Sequence, residues 1–166
     1  MNFFNLFKSK KQPETTQLKK CTETKSQKIQ YETKFTATDL TQDKVLIKSI
    51  VDKMVKEDPF KNFYTGKVDA DFSPLSKRVY KYDAITTVNV NLIVNSKNQY
   101  NITVEGIELG SVPQSISKEF THYYETYLLT AYAYATGGYY KEYSSETQKV
   151  IEGFDPYGLD LYVQFT

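Results

Sequence analysis

Few side chains in this sequence could carry catalytic or metal chemistry. The only histidine is His122, and no nucleophile or second histidine is marked beside it, so an ordinary surface or helix-end role is favoured. Asp69 and Asp71 stand close together but lack the ordered ligand series of an EF-hand loop. The only cysteine, Cys21, excludes an intrachain disulfide and a cysteine-rich metal site. The residues therefore predict no enzyme, no cofactor and no metal.

Tyrosine is the residue type that stands out, with 15 copies in the chain. A tyrosine buries an apolar ring and keeps a polar tip, which suits a half-exposed sheet or a binding face. Exposed tyrosines on a sheet can stack on nucleic-acid bases, with nearby lysines for phosphate. The candidates of this kind are Tyr132, Tyr134, Tyr139 and Tyr140, with Lys97 and Lys141. Packing between neighbouring strands is the alternative role for each tyrosine.

Charge is divided unevenly along the chain, although the net charge is only +1. Residues 1–34 hold eight lysines and three glutamates, a balance of +5; residues 35–166 hold 13 basic and 17 acidic residues, a balance of −4. Lysine, threonine, glutamine and glutamate dominate residues 8–30, so we expect residues 1–30 to form a flexible basic tail. We expect residues 31–166 to form one domain. Its bulk charge does not favour nucleic-acid binding.

Four apolar residues lie near the start of the chain. They are Phe3, Phe4, Leu6 and Phe7. Their run is shorter than the core of a signal peptide, and the lysines follow it rather than precede it. Two alternatives stay open: a weak contact with a membrane surface, or an end that packs on the domain or has no role. No run has transmembrane length, and the single cysteine fits a cytoplasmic setting.

The first half of the domain shows one strand and one helix. Residues 31–37 (YETKFTA) alternate as a short strand. Apolar residues then recur at helical spacing from Val45 to Val55, which predicts a helix capped by Thr38 or Thr41 and ended by Pro59. We expect this helix to bury its apolar stripe against a sheet. A long connection follows.

The middle of the chain predicts a sheet with one dry and one wet face. The residues expected inward on its first strand are Val88, Val90, Leu92 and Val94. A polar turn at residues 95–98 leads to a strand from Tyr100 to Val104, and Glu105-Gly106 forms a tight hairpin turn. After Pro113, Ser115 is expected to cap a helix through about Tyr124.

The C-terminal part predicts further strands. Residues 128–135 (LLTAYAYA) place alanines on one face and tyrosines on the other, and Gly137-Gly138 turns the chain or admits another backbone. A short strand at 148–151, a turn at 154–158 and a last strand at 159–165 follow. Six to eight short strands with about two helices, and no βαβ repetition, predict an α+β, mainly β fold. We expect an OB-like antiparallel or mixed barrel with helices at its side or end.

Several segments together resemble the HIRAN domain of small stand-alone bacterial proteins. The opening strand YETKFTAT precedes a helix, and the hairpin YNITVEGIELGSVP leads into the next one. GGYYK (Gly137–Lys141) and DPYGLDLYVQF (Asp155–Phe165) follow. The resemblance covers roughly residues 31–166. Such proteins also often open with a short FNLF-type N-terminus, and this chain has one at residues 4–7.

The resemblance implies an OB-like barrel that recognises single-stranded DNA or DNA ends. In the family, an Asn-Pro-Tyr-Asp segment before the hairpin supplies stacking and polar contacts. Here the corresponding residues, Asn95 to Tyr100, lack the proline and the aspartate. Tyr100 is either a contact to DNA or purely a strand residue. The sequence thus predicts a non-enzymatic nucleic-acid-binding module, with a protein-interaction or structural module on a diverged barrel as the alternative.

Overall fold

The computed structural model of the protein describes residues 28–166, so the apolar residues from Phe3 to Phe7 and most of the expected tail lie outside it. The described part is mainly β, with antiparallel sheets and three α-helices. In chain order the elements are β1 (Tyr31–Thr36), α1 (Ala37–Leu40), α2 (Lys44–Glu57), β2 (Val79–Tyr80), β3 (Thr86–Thr87), β4 (Val90–Val94), β5 (Tyr100–Val104), β6 (Ile107–Ser111), α3 (Ser117–Thr126), β7 (Leu129–Ser144) and β8 (Lys149–Phe165). Within residues 28–166, no helix combines the length and apolarity needed to cross a membrane.

A large antiparallel sheet is built around one long hairpin. The strands lie in the order β1-β8-β7-β2, and β3 also pairs with β7. The hairpin pairs from Leu129 opposite Phe165 to Ser144 opposite Lys149. The predicted alternation is confirmed, because the alanines of β7 and the last four apolar residues of β8 are buried on the inner face. These residues are Ala131, Ala133, Ala135, Leu159, Leu161, Val163 and Phe165.

A small sheet contains β4, β5 and β6 in that order. Its second turn is the predicted Glu105-Gly106 hairpin, with both residues at positive φ, +52° and +73°. Each sheet is an open path, and no strand ladder among residues 28–166 joins the two into a closed barrel. The expected antiparallel, mainly β class is therefore confirmed, whereas the barrel is not closed.

The helices cover the inner side of the sheets. Asp43 caps α2, since its carboxylate accepts the N–H groups of Val45 and Leu46 at 2.9 and 3.0 Å. The prediction that Thr38 or Thr41 caps this helix is wrong, because Asp43 is nearer to the first free N–H groups. The apolar stripe of α2 is buried as expected. Its buried members are Ile47, Ile50, Val51 and Met54.

Three local predictions are wrong. Residues 154–158 do not form a turn, because they continue β8 against β7. Two residues expected inward are exposed: Val88 (83%), which lies between β3 and β4 rather than in a strand, and Val94 (49%), the last residue of β4. The helix expected from Ser115 starts after Ile116 and runs to Thr126.

Candidate functional site

Five aromatic rings lie in contact one after another near the middle of the long hairpin, and we call them the aromatic strip. The rings belong to Phe63, Tyr82, Tyr157, Phe154 and Tyr139. Successive ring centroids are 5.5, 6.1, 5.5 and 5.1 Å apart, within the range of aromatic contacts. At one end, Tyr139 and Phe154 are 53% and 52% exposed. At this end of the aromatic strip, about half of the surface of each residue is therefore accessible to solvent.

Paired strands and a glycine position the middle of the aromatic strip. Tyr139 of β7 stands directly opposite Phe154 of β8, so the two rings share one face. The register shifts between Thr136 and Gly138. The ring of Tyr157 then lies across Gly138, where a Cβ would come within 2.3 Å of Cε1. Since Gly138 also has a φ of +84°, glycine is the residue that this crossing requires.

A strained loop supplies the other end of the aromatic strip. Tyr64 and Thr65 adopt left-handed φ values of 52° and 54°, directly after Phe63 and before Gly66. Such a conformation costs of order 1–3 kcal/mol for each non-glycine residue and is concentrated at functional sites. The Tyr64 N–H donates to the Lys81 carbonyl at 3.0 Å and ties the loop to the strip.

Two lysines rest on the aromatic strip. Lys81 Nζ lies 5.2 Å from the ring centroid of Phe63 and 5.6 Å from that of Tyr82. No carboxylate among residues 28–166 forms an ion pair with Lys81. Lys48 lies 6.0 Å from the Tyr157 ring and forms a 2.5 Å ion pair with Asp52, which raises its pKa. Lys81 is thus the cation of the strip that is available to an anion.

Burial changes the acidity of the central phenol. It raises the pKa of Tyr157, because removal from water disfavours the phenolate. The same cause, burial, raises the pKa of Tyr64 in the strained loop. Both phenols therefore keep their protons to a higher pH than an exposed tyrosine does.

Two predicted site residues, Tyr132 and Tyr134, lie elsewhere, on the outer face of the large sheet. With Tyr162 they form a cluster that we call the tyrosine triplet. The Tyr132 and Tyr162 rings stack face to face at 5.2 Å, and the edge of Tyr134 meets both. Burial, then the Glu32 charge, raises the pKa of Tyr132. Because these rings cover one another, packing accounts for much of their surface.

Tyr140 and Lys141 are held by their own neighbours. The Arg78 guanidinium lies 3.8 Å from the Tyr140 ring centroid, and it binds Glu142 through two nitrogens at 2.8 and 3.1 Å. Lys141 pairs with Asp69 at 2.6 Å and with Glu152 at 3.3 Å, and its side chain is 18% exposed. The hydrogen bond with Asp69 raises the pKa of Lys141. The phosphate contact of Lys141 stays a prediction, and a phosphate would have to compete with these two carboxylates for the ammonium group.

The two remaining predicted site residues, Lys97 and Tyr100, differ in their exposure to solvent. Lys97 is exposed in the turn between β4 and β5. Tyr100 is only 5% exposed and packs against Phe120 and Tyr124, with centroids 5.3 and 4.7 Å away. Tyr100 lies in β5, and the burial of its ring favours the alternative interpretation as a strand residue over a contact to DNA. Among residues 28–166, Asp69 and Asp71 belong to no group of three or more His, Cys, Asp or Glu side chains that could hold a metal ion.

Sequence reasoning found one member of the aromatic strip, Tyr139, and missed the others. The sequence predicts a turn at Phe154 and Tyr157, and Phe63 and Tyr82 lie in connections whose positions follow no local period. Pro156 and Gly158 favour a turn in the sequence, and the register shift between Thr136 and Gly138 breaks the alternation that would have indicated a strand. Lys81 carries no sequence signal that separates it from the other lysines.

No protein-family model matches the chain, and no match was found among curated proteins or solved structures.

Proposed function

We propose that the protein is a non-enzymatic binding module that takes single-stranded nucleic acid on the aromatic strip. The observation that carries this proposal is the contact series of five rings that ends in the half-exposed Tyr139 and Phe154. Aromatic rings bind unpaired bases by stacking, because every base has an apolar face. A duplex hides those faces, so the strip favours single strands.

The net charge of the described residues is negative, so phosphate must be bound by individual cations rather than by the overall charge of the domain. Residues 28–166 hold 15 basic and 18 acidic residues, a balance of −3. Lys81, which lacks an ion pair among these residues, then supplies the phosphate contact beside the rings. Residues 1–27 hold six lysines and two glutamates, a balance of +4, and contribute a salt-sensitive share of the affinity.

The resemblance to HIRAN domains, with their OB-like barrel, points to the same ligand class. On this proposal the preferred ligand is single-stranded DNA or a DNA end, in the cytoplasmic setting expected from the single cysteine. The missing proline and aspartate before Tyr100, and the burial of that ring, support the aromatic strip as the alternative location.

The second candidate function is a protein-interaction module. The ion pairs that most lysine and arginine side chains near the tyrosines form within the chain favour this candidate. Lys34 pairs with Asp160, Lys141 with Asp69, and Arg78 with Glu142, so the cations near the other tyrosines are neutralised. A half-exposed aromatic surface with few free charges is also typical of protein interfaces.

Fluorescence anisotropy with labelled single-stranded and duplex oligonucleotides tests the proposal. Tyr139→Ala and Phe154→Ala should each weaken single-strand binding by roughly 5- to 150-fold, the range that corresponds to ~1–3 kcal/mol for each stacked base. Lys81→Ala should reduce the slope of log affinity against log salt by about one. Tyr134→Ala, a half-exposed tyrosine of the tyrosine triplet, is the matched control and should leave affinity unchanged.

Two results would count against nucleic-acid binding at this site. The full chain could fail to bind any single strand at low salt and tens of micromolar protein, in which case the protein-interaction candidate takes its place. Alternatively, the control could weaken binding as much as the strip variants, which would move the site to the tyrosine triplet.

A further inference from the structure

β1 leaves one edge of the large sheet open. β8 pairs with one side of β1, and no strand among residues 28–166 pairs with its other side. Thr36 donates its backbone N–H to the Asp39 carboxylate at 2.7 Å, not to β8. Backbone groups alternate in direction along a strand, so those of Lys34 and Glu32 point to the same open side as Thr36. Such an edge is a template for another strand.

The side chains of this edge are self-complementary. Glu32 and Lys34 are exposed and flank Thr33 with opposite charges. If a second β1 runs antiparallel about a two-fold axis at Thr33, each Glu32 stands opposite a Lys34. The backbone N–H and C=O groups of Glu32 and Lys34 point to the open side. Each pair of a Glu32 and the opposite Lys34 therefore forms two backbone hydrogen bonds between the copies. We propose that two copies of the chain pair through β1 and join their large sheets into one continuous sheet.

The charges of Glu32 and Lys34 favour this register over registers that are shifted by one or two residues. A shift by two residues places Glu32 opposite the Glu32 of the second copy, or Lys34 opposite the second Lys34. Like charges directly opposite each other are destabilising, whereas opposite charges stabilise. A single-residue shift would turn the charged side chains to the inner face.

Contacts within each copy leave both charges accessible. Lys34 pairs with its own Asp160 at 2.7 Å and remains 45% exposed. Glu32 accepts a hydrogen bond from Gln164 at 2.7 Å and is also exposed. On the inner side, Tyr31 of one copy stands opposite Phe35 of the other and continues the apolar layer. One sequence supplies both halves of the interface, which is the requirement for a two-fold dimer.

Sedimentation velocity on the full chain tests this dimer. The wild-type chain should show a concentration-dependent dimer that weakens with salt. Glu32→Lys and Lys34→Glu each place like charges opposite one another at both ends of the pairing, so each should raise the dimer Kd at least about tenfold. An equimolar mixture of these two variants restores opposite charges and should form a heterodimer.

The mixture separates charge pairing from loss of folding. Circular dichroism checks that each variant is folded, and Glu32→Gln, which removes one charge without reversing it, should give an intermediate Kd. A wild-type chain that stays monomeric at high micromolar concentration overturns the proposal. A dimer that neither single variant weakens, or a mixture no more associated than its components, overturns it as well.

Discussion

Gly138→Ala is the substitution that tests most sharply how the aromatic strip is built. The new methyl group would meet the Tyr157 ring at 2.3 Å, and the backbone would remain at a φ of +84°. The left-handed conformation costs about 1–2 kcal/mol, and forcing a ring to move in a packed site costs about 1–3 kcal/mol. We therefore expect the free energy of unfolding to fall by roughly 2–5 kcal/mol.

Urea denaturation followed by circular dichroism measures this loss, and Gly106→Ala is its matched control. Gly106 has a similar φ, +73°, but a Cβ there meets only the Lys53 ammonium at 4.0 Å. The control should lose about 1–2 kcal/mol from the conformation alone. In a Tyr157→Ala background, the cost of Gly138→Ala should fall to the same value, because the clash is gone. Equal losses for the two glycines in the wild-type background would refute the crossing of Tyr157 over Gly138.

Three further predictions concern stability. Asp43→Ala should lower the free energy of unfolding by about 1 kcal/mol, measured by urea denaturation, because two N–H groups of α2 lose their acceptor. Glu105→Ala should cost about 1–3 kcal/mol in the same assay, since this buried carboxylate accepts hydrogen bonds from Thr87 and Asn89. Hydrogen bonds from Thr36 lower the pKa of Asp39 below that of an ordinary aspartate, so its contribution to stability is fully present above the ordinary pKa and is lost as the pH falls through the lowered pKa. Asp39→Asn should therefore flatten the acid side of a stability-against-pH curve, and an unchanged acid limb would contradict this assignment.

Local patterns were sufficient for the regular parts of the fold. Alternation in residues 128–135 and 159–165 predicted their buried faces, and helical spacing predicted α2. The Glu105-Gly106 turn was also predictable, because a tight hairpin needs residues that tolerate positive φ. In these segments the local preference and the tertiary environment agree.

The remainder depends on contacts that no local pattern encodes. Pro156 and Gly158 are typical of a turn, but pairing with β7 across the register shift keeps them in β8. The aromatic strip joins Phe63, Tyr82 and Tyr139 from three parts of the chain, so its assembly follows from topology. Lys141 looked available for phosphate because its partner Asp69 is distant in sequence.

Photo-crosslinking is the measurement that tests the proposed binding site most directly. A single-stranded oligonucleotide with photoreactive bases would be irradiated with the full chain, and the crosslinked residues would be identified by mass spectrometry. We expect crosslinks at Tyr139, Phe154 and Tyr157, and these should be reduced in Phe154→Ala and competed by unlabelled single strands. Crosslinks confined to Tyr134 and Tyr162, or none above those of heat-denatured protein, would contradict it.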